Sequence, residues 1–311
     1  MSTRLFPKNR GADAYVVNGI ARRCDWVVLS DRQPPQASLV RQVETEAPRH
    51  VFVSLREPFQ ALAFFIERVL PMIRGPFVLV SGSEDASLPR QLDQRWRPFD
   101  PAERGRIRSL LEDPRLLHWF AENLDEAHPR MSPLPLGLVF PESPAVPHVA
   151  VPAIPPTASR PARVLCAHRV REGAQWDVRR EVSALCAGLG PTCTVVTEEL
   201  PEEEFVSLLH RHAFVACVSG GGLDPSPKAW QAILHGAIPI ILSTPLDSAY
   251  GQLPVVLVPR WEAQAFDPDR LARWQRRCAE HHDVPTMRRE TLRRLGVDYW
   301  WDQVAARARA S

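Results

Sequence analysis

From Arg163 to Val258 short apolar runs alternate with amphipathic stretches, and no other feature of the chain restricts its fold as far. The pattern predicts strands over Arg163–Ala167, Cys193–Thr197, Phe214–Val218, Ile238–Leu242 and Val255–Val258. Between them it predicts helices over Trp176–Ala187, Pro201–His212 and Ser226–His235. Such alternation is the signature of a parallel sheet joined by crossover helices. The first half repeats it, with strand-like runs at Ala14–Val17, Trp26–Leu29, Val51–Leu55 and Phe77–Ser81 and a buried helix over Phe59–Ile73.

From Pro141 to Pro161 prolines recur every few residues, which forces extended backbone and reads as a linker. The expected organisation is an α/β chain of two Rossmann-like, doubly wound domains, 1–140 and 162–295, with a linker at 141–161. A last helix at 296–311 is expected to pack back on the first domain. Asp267 with Pro268 reads as a helix start, and Asp298 as the cap of a helix through Arg309. Ligands of such sheets bind outside the carboxyl ends of the strands, so a cleft between the domains is the expected site.

Thirty-eight basic against 36 acidic residues imply no broad attraction to nucleic acid. No leader follows Met1 and no apolar run approaches bilayer length, so no transmembrane segment and a cytoplasmic protein are expected. Six scattered cysteines without a Cys-x-x-Cys pair read as reduced core thiols.

The run AFVACV leads straight into Ser219, Gly220, Gly221, Gly222, Leu223, Asp224 and Pro225, then a helix beginning near Ser226. A strand, a glycine loop and a helix start in this order present main-chain N–H groups to an anion with no side chains in the way, and phosphate would suit them. Lys228 is placed to reach over the loop as a point charge. Only it and Lys8 are lysine in a chain that otherwise uses arginine. The competing reading is an ordinary glycine-rich turn with Lys228 on a solvated face.

The segment GGGLDPSPKAWQAILHGAIPIILSTPLDSAYGQLPVVLV resembles the carboxyl-terminal motif of exostosin-like glycosyltransferases, in which a glycine-rich loop and an Asp precede a basic residue, a Trp-Glu pair and a Gly-x-Ile-Pro strand. FVLVSGSED and HWFAENLDEAHPRMSPLPLGL resemble stretches of bacterial relatives, and the matching pieces span much of Phe52–Val258. The resemblance implies an inverting transferase of the GT-B type with a nucleotide-sugar donor, usually UDP-linked, and a carbohydrate or glycosylated acceptor. It implies a donor site at Gly220, Gly221, Gly222, Asp224, Ser226, Lys228 and Gln231. Where the family has Arg followed three residues later by Glu, this chain has Lys228 and Gln231: the charge is kept without the bidentate fork, and the carboxylate is replaced by an amide.

Inverting transfer needs a stabilised leaving group and a base for the acceptor hydroxyl. Arg169 and Arg171, after the strand RVLCAH, are candidates for the second side of the diphosphate, with a solvated role as the alternative. The base is expected at Asp85, just past PFVLVSG, with Glu84 as alternative; Asn123 and His128 are acceptor-side or hinge candidates, and His168 a further possible base. No metal or cofactor is expected: Asp267-Pro268-Asp269 fits a helix start better than a metal motif, and His281 and His282 are expected to be exposed at a helix end. Trp119, Phe120, Trp230, Tyr299, Trp300 and Trp301 fall mostly at helical spacing and read as core. Two other readings remain: a non-catalytic nucleotide-sugar-binding protein, and a dinucleotide-dependent oxidoreductase. The second lacks a G-x-G-x-x-G after an early strand.

Overall fold

The computed structural model describes residues 5–6, 17–138, 150–225 and 227–309. Its contacts group the chain into two compact units. The amino-terminal unit takes the described residues of Ser2–His148 with Gly221–Asp224 and Gly296–Ser311; the carboxyl-terminal unit takes those of Val149–Gly220 and Pro225–Leu295.

In the amino-terminal unit β1 (Trp26–Arg32) and β2 (Pro35–Arg41) form an antiparallel hairpin. They are followed by β3 (His50–Ser54), α1 (Pro58–Phe64), β4 (Phe77–Gly82), α2 (Pro101–Glu112), β5 (Leu116–Ala121) and β6 (Met131–Pro133). The sheet order is β2-β1-β3-β4-β5-β6, parallel except at the hairpin. The expected strands at Trp26, Val51 and Phe77 are β1, β3 and β4; the run Ala14–Val17 lies outside the described residues except for Val17, which is in no strand. The helix expected over Phe59–Ile73 is α1 continued by a π turn, Phe65–Val69, and a 3-10 turn, Leu70–Met72. Pro71 has no N–H to return four residues back, so regular α geometry cannot run through it.

Strand alternation sorts the side chains: Phe52, Val80 and Phe120 share one face, and Val51, Leu79 and Trp119 the other. Phe65 meets Phe77 on the face that carries Leu79 (ring centroids 6.3 Å apart), while Trp301 of the terminal helix Val297–Arg309 meets His50 on the opposite face at 4.8 Å. Apolar side chains are therefore covered on both sides. Trp119 and Phe120 lie on a strand and not on a helix, and the Trp119 indole N–H donates to Ser81 Oγ at 2.9 Å. Asp298 is not the cap of the terminal helix: it sits in the first turn and pairs with Arg23.

The carboxyl-terminal unit runs β7 (Val164–Ala167), α3 (Asp177–Gly188), β8 (Cys193–Val196), α4 (Glu202–Arg211), β9 (Phe214–Ala216), α5 (Pro227–Leu234), β10 (Ile238–Leu242), α6 (Asp247–Tyr250) and β11 (Val256–Val258). Helices α7 (Pro268–Cys278), α8 (Glu280–Asp283) and α9 (Pro285–Leu295) follow. All strands are parallel, in the order β11-β10-β9-β7-β8. The chain steps from β7 to β8 in one direction and then returns past β7 to β9, β10 and β11. Right-handed crossovers in two directions put helices on both faces of the sheet.

Val164, Phe214, Ile238, Ile240 and Val256 form the centre of its core with Val182 and Cys186 of α3. No disulfide joins the six cysteines, and all of them are buried. Asp267 caps α7, accepting from the Arg270 N–H at 2.9 Å. His282 departs from expectation: it is only 5% exposed, because the short helix α8 turns it inward, and neither ring nitrogen has a hydrogen-bond partner. His281 is half-buried and bonds Thr291 Oγ at 3.1 Å.

Candidate functional site

Strand order reverses between β7 and β9, and in open parallel sheets the crevice at such a switch point, outside the carboxyl ends of the strands, is where ligands bind. Two cations meet there. Arg179 on the first turn of α3 is 8% exposed and gives its guanidinium to three main-chain carbonyls: Arg169 at 2.9 Å, Val218 at 3.2 Å and Ser219 at 3.2 Å. Lys228, in the first turn of α5, donates its ammonium to the carbonyl of Ala167, the last residue of β7. Burial lowers Lys228 from the usual lysine range to about 8 and Arg179 to about 10; the neighbouring Arg169 and Arg171 lower Arg179 further. Carbonyl oxygens orient Arg179 without neutralising it, so the crevice keeps a desolvated positive charge that an anion would compensate.

Gly220 is where the loop passes closest to these groups. A Cβ there would lie 2.5 Å from Arg179 Nη2 and 2.9 Å from Trp176 Cζ3, and Trp176 itself supports Arg179, whose guanidinium carbon is 4.8 Å from the ring centroid. Gly220→Ala is accordingly expected to displace the guanidinium from its carbonyls. A thermal melt should show a loss of about 1–2 kcal/mol for this overpacking, with the fold retained. His168 is not free to act as a base: Nε2 lies 2.9 Å from the Arg179 carbonyl and 3.0 Å from Ser183 Oγ, and the residue is buried.

The rest of the glycine loop belongs to the amino-terminal unit, and the N–H groups of Gly222, Leu223 and Asp224 are occupied. Gly222, at φ +64°, donates to Asp93 Oδ2 at 2.5 Å; Leu223 and Asp224 both donate to Asn123 Oδ1, at 2.9 and 3.2 Å. Asp93 is thus an internal carboxylate in the place expected for an external anion. Burial raises its pKa, and the bonds from Gly222 and Arg95 oppose that. Arg95 pairs with both Asp93, at 3.1 Å, and Asp85. Asp224 turns its carboxylate to the Leu136 N–H at 2.9 Å.

The remaining candidates are distributed as follows. Asp85 and Glu84 lie in the loop after β4 and are both ion-paired, Asp85 with Arg95 and Glu84 with Arg32 at 2.6 Å. Asn123 is buried and also donates to the Glu84 carbonyl at 3.2 Å. Gln231 is half-buried three residues beyond Lys228 on α5, and so on the same side of that helix. Arg169 turns its guanidinium to Glu199, and only its carbonyl joins the crevice. His128 accepts from the Arg130 N–H at 3.1 Å, within the loop before β6. Ser226 lies outside the described residues.

Sequence reasoning missed Arg179, Trp176, Asp93 and Arg95. Arg179 is one of a doublet, DVRRE, in an arginine-rich chain, and only strand order shows which of the two faces the crevice. Among the described residues no group of three or more His, Cys, Asp or Glu side chains is placed to hold a metal, and no helix is long and apolar enough to cross a membrane.

No family model matches the chain, and no curated protein matches it. Solved structures that resemble it include a UDP-forming α,α-trehalose-phosphate synthase from Burkholderia xenovorans, with 8% identity and a TM-score of 0.42 over 84% of this chain and 73% of that one. Two others are the glycosyltransferase of kitacinnamycin (11% identity, TM-score 0.33, 84% and 76% covered) and the spinosyn forosaminyltransferase (13%, 0.36, 83% and 76%).

Proposed function

We propose that the chain binds a nucleotide-sugar donor through its diphosphate at the β7/β9 switch point and transfers the sugar to an acceptor hydroxyl, as an inverting, metal-independent glycosyltransferase of the GT-B type. One observation carries this: buried Arg179 and half-buried Lys228 converge on the carboxyl end of β7, and Arg179 is held by carbonyls that orient its charge without neutralising it. That is the arrangement a leaving diphosphate requires, since pre-set donors in a dry crevice stabilise the charge that builds on it. The resemblance of the glycine loop and its helix to exostosin-like transferases supports a UDP-linked donor. Gln231 would offer its amide to a ribose hydroxyl.

Asp85 is proposed as the base. Its pairing with Arg95 must open before it can take a proton, so catalysis requires rearrangement of the loop after β4. Calorimetry with UDP, alongside turnover of UDP-sugars with and without sugar acceptors, tests the reading. UDP binding in the micromolar range is expected, with Asp85→Asn leaving UDP affinity unchanged and lowering turnover by roughly 100-fold or more. Tight UDP binding with no turnover for any donor would make the chain a nucleotide-sugar-binding protein, whereas absence of UDP binding would remove the whole proposal.

A further inference from the structure

In the amino-terminal unit, α2 and the loops at Pro89–Arg90 and Glu126–Arg130 enclose a groove of about 630 Å³, within the range of small-molecule sites. Its floor is apolar, with Ile107 and Leu111 of α2 beside Pro89 and Pro129. Its rim carries four arginines, Arg90, Arg104, Arg108 and Arg130, against two carboxylates, Glu112 and Glu126.

The arginines are not neutralised in equal measure. Arg130 is fixed by the carbonyls of Leu111 and Asp113, and Arg104 by that of Phe99, contacts that orient a guanidinium and leave its charge in place. Arg90 pairs with Glu126 at the long distance of 3.9 Å and lies near enough to Asp125 to favour its ionised form. Arg108 is exposed, one helical turn from Arg104 on the same face of α2. Glu112, four residues beyond Arg108, tempers the field without cancelling it, and the rim retains a net positive charge above an apolar floor.

We propose that this groove binds a small molecule that carries an oxyanion, phosphate or carboxylate, on an apolar body. The oxyanion sits between Arg108 and Arg90, where planar guanidinium groups give paired N–H donors, and the body lies on Ile107 and Leu111. The inference is independent of the reading of the carboxyl-terminal crevice, since every residue it uses lies in the amino-terminal unit.

Calorimetry of the full chain at low ionic strength with phenyl phosphate, benzoate and phenol tests it. Phenyl phosphate or benzoate is expected to bind, phenol is not, and comparison of the two anions tells phosphate from carboxylate preference. Arg108→Glu is expected to weaken binding at least about tenfold, with Arg108→Gln between it and the unaltered chain. Both changes lie on an exposed helix face, so an unaltered melting temperature and circular dichroism spectrum are expected. Lys228→Met should bind phenyl phosphate as the unaltered chain does. The inference is overturned if neither anion binds, if Arg108→Glu leaves affinity unchanged, or if binding is lost in Lys228→Met and kept in Arg108→Glu.

Discussion

Lys228→Met is expected to lower UDP affinity by roughly 100-fold without lowering the melting temperature. Removing a charge-assisted bond to a diphosphate in a desolvated crevice is worth about 1.5–3 kcal/mol, tenfold or more, and the loss of a fixed point charge beside Arg179 adds to it. Stability moves the other way. Burial lowers the Lys228 pKa from 10.5 to about 8, so below pH 8 the folded chain carries a charge that its surroundings disfavour. In the unfolded chain the lysine stays protonated up to its ordinary value, and the penalty is relieved only as pH rises through 8 toward 10.5. A methionine of similar length never carries that penalty, although it surrenders the bond to the Ala167 carbonyl.

The same shift predicts a pH signature: UDP affinity of the unaltered chain is expected to fall as pH rises through about 8, to the extent that bound diphosphate does not itself raise the lysine. Calorimetry from pH 7 to 9 beside thermal melts reads both effects. A melting temperature that fell by more than a few degrees in Lys228→Met would show the lysine to be a structural member of the β7 edge and would sink its assignment to a ligand.

The parts of this arrangement that the sequence made visible are those written in local pattern. β10 falls on Ile238–Leu242, as its uninterrupted apolar run predicts, and β7, β8, β9 and β11 lie within one or two residues of their expected bounds. Asp267 with Pro268 declares the start of α7 because cap and fixed φ both act within one turn.

Other local signals were present but passed over. FDPAERGRIRSLLE carries a full capping box, Asp100 with Glu103, and it opens α2, which the alternation argument did not include. β5 went unrecognised because LLHWFA shows no polar alternation: both its faces are buried, so the period of two has no hydrophilic partner to reveal it. Strand order is another kind of information. It decides that Arg179 meets Lys228 at the β7 edge, and nothing in the spacing of DVRRE and SPKAW states that a crossover returns the chain past β7. Likewise Asp93 occupies the N–H of Gly222 across 129 residues of chain, so a loop that looks open as sequence is closed as structure.

Lowering the pH from 7 to 5 is expected to cost about 2 kcal/mol for each histidine that is strongly lowered: His118 in the amino-terminal unit, and His282 and the half-buried His235 in the carboxyl-terminal unit. Burial is the chief cause in each: His282 is lowered to about 3, with Arg288, Arg160 and His281 adding repulsion, His235 to about 4, with His210, Arg288 and Arg160 adding theirs, and His118 to about 4, with Arg307 and Arg130 adding theirs. The folded-state values lie below the unfolded 6.5, so above pH 6.5 both states are neutral and nothing is lost. As pH falls below 6.5 the unfolded chain takes up protons that the folded chain refuses, and each pH unit removes about 1.4 kcal/mol per group until the folded pKa is reached.

By pH 5 the interval is about 1.5 units, which gives the stated 2 kcal/mol without depending on how far below 5 the folded values lie. His118 and His282 differ in what remains for a substitution to remove. His118 Nε2 is bonded to Ser132 Oγ at 2.8 Å, whereas His282 has neither nitrogen bonded. His282→Phe therefore removes a proton acceptor and two unpartnered polar atoms while keeping a planar ring. It should raise stability at pH 7 and reduce the acid loss of the carboxyl-terminal unit by about 2 kcal/mol, the share of His235 remaining, and leave that of the amino-terminal unit unchanged. Urea denaturation followed at pH 7, 6 and 5, with hydrogen exchange to tell the units apart, measures this. An undiminished pH slope in the carboxyl-terminal unit of His282→Phe would show that some other group takes up the proton.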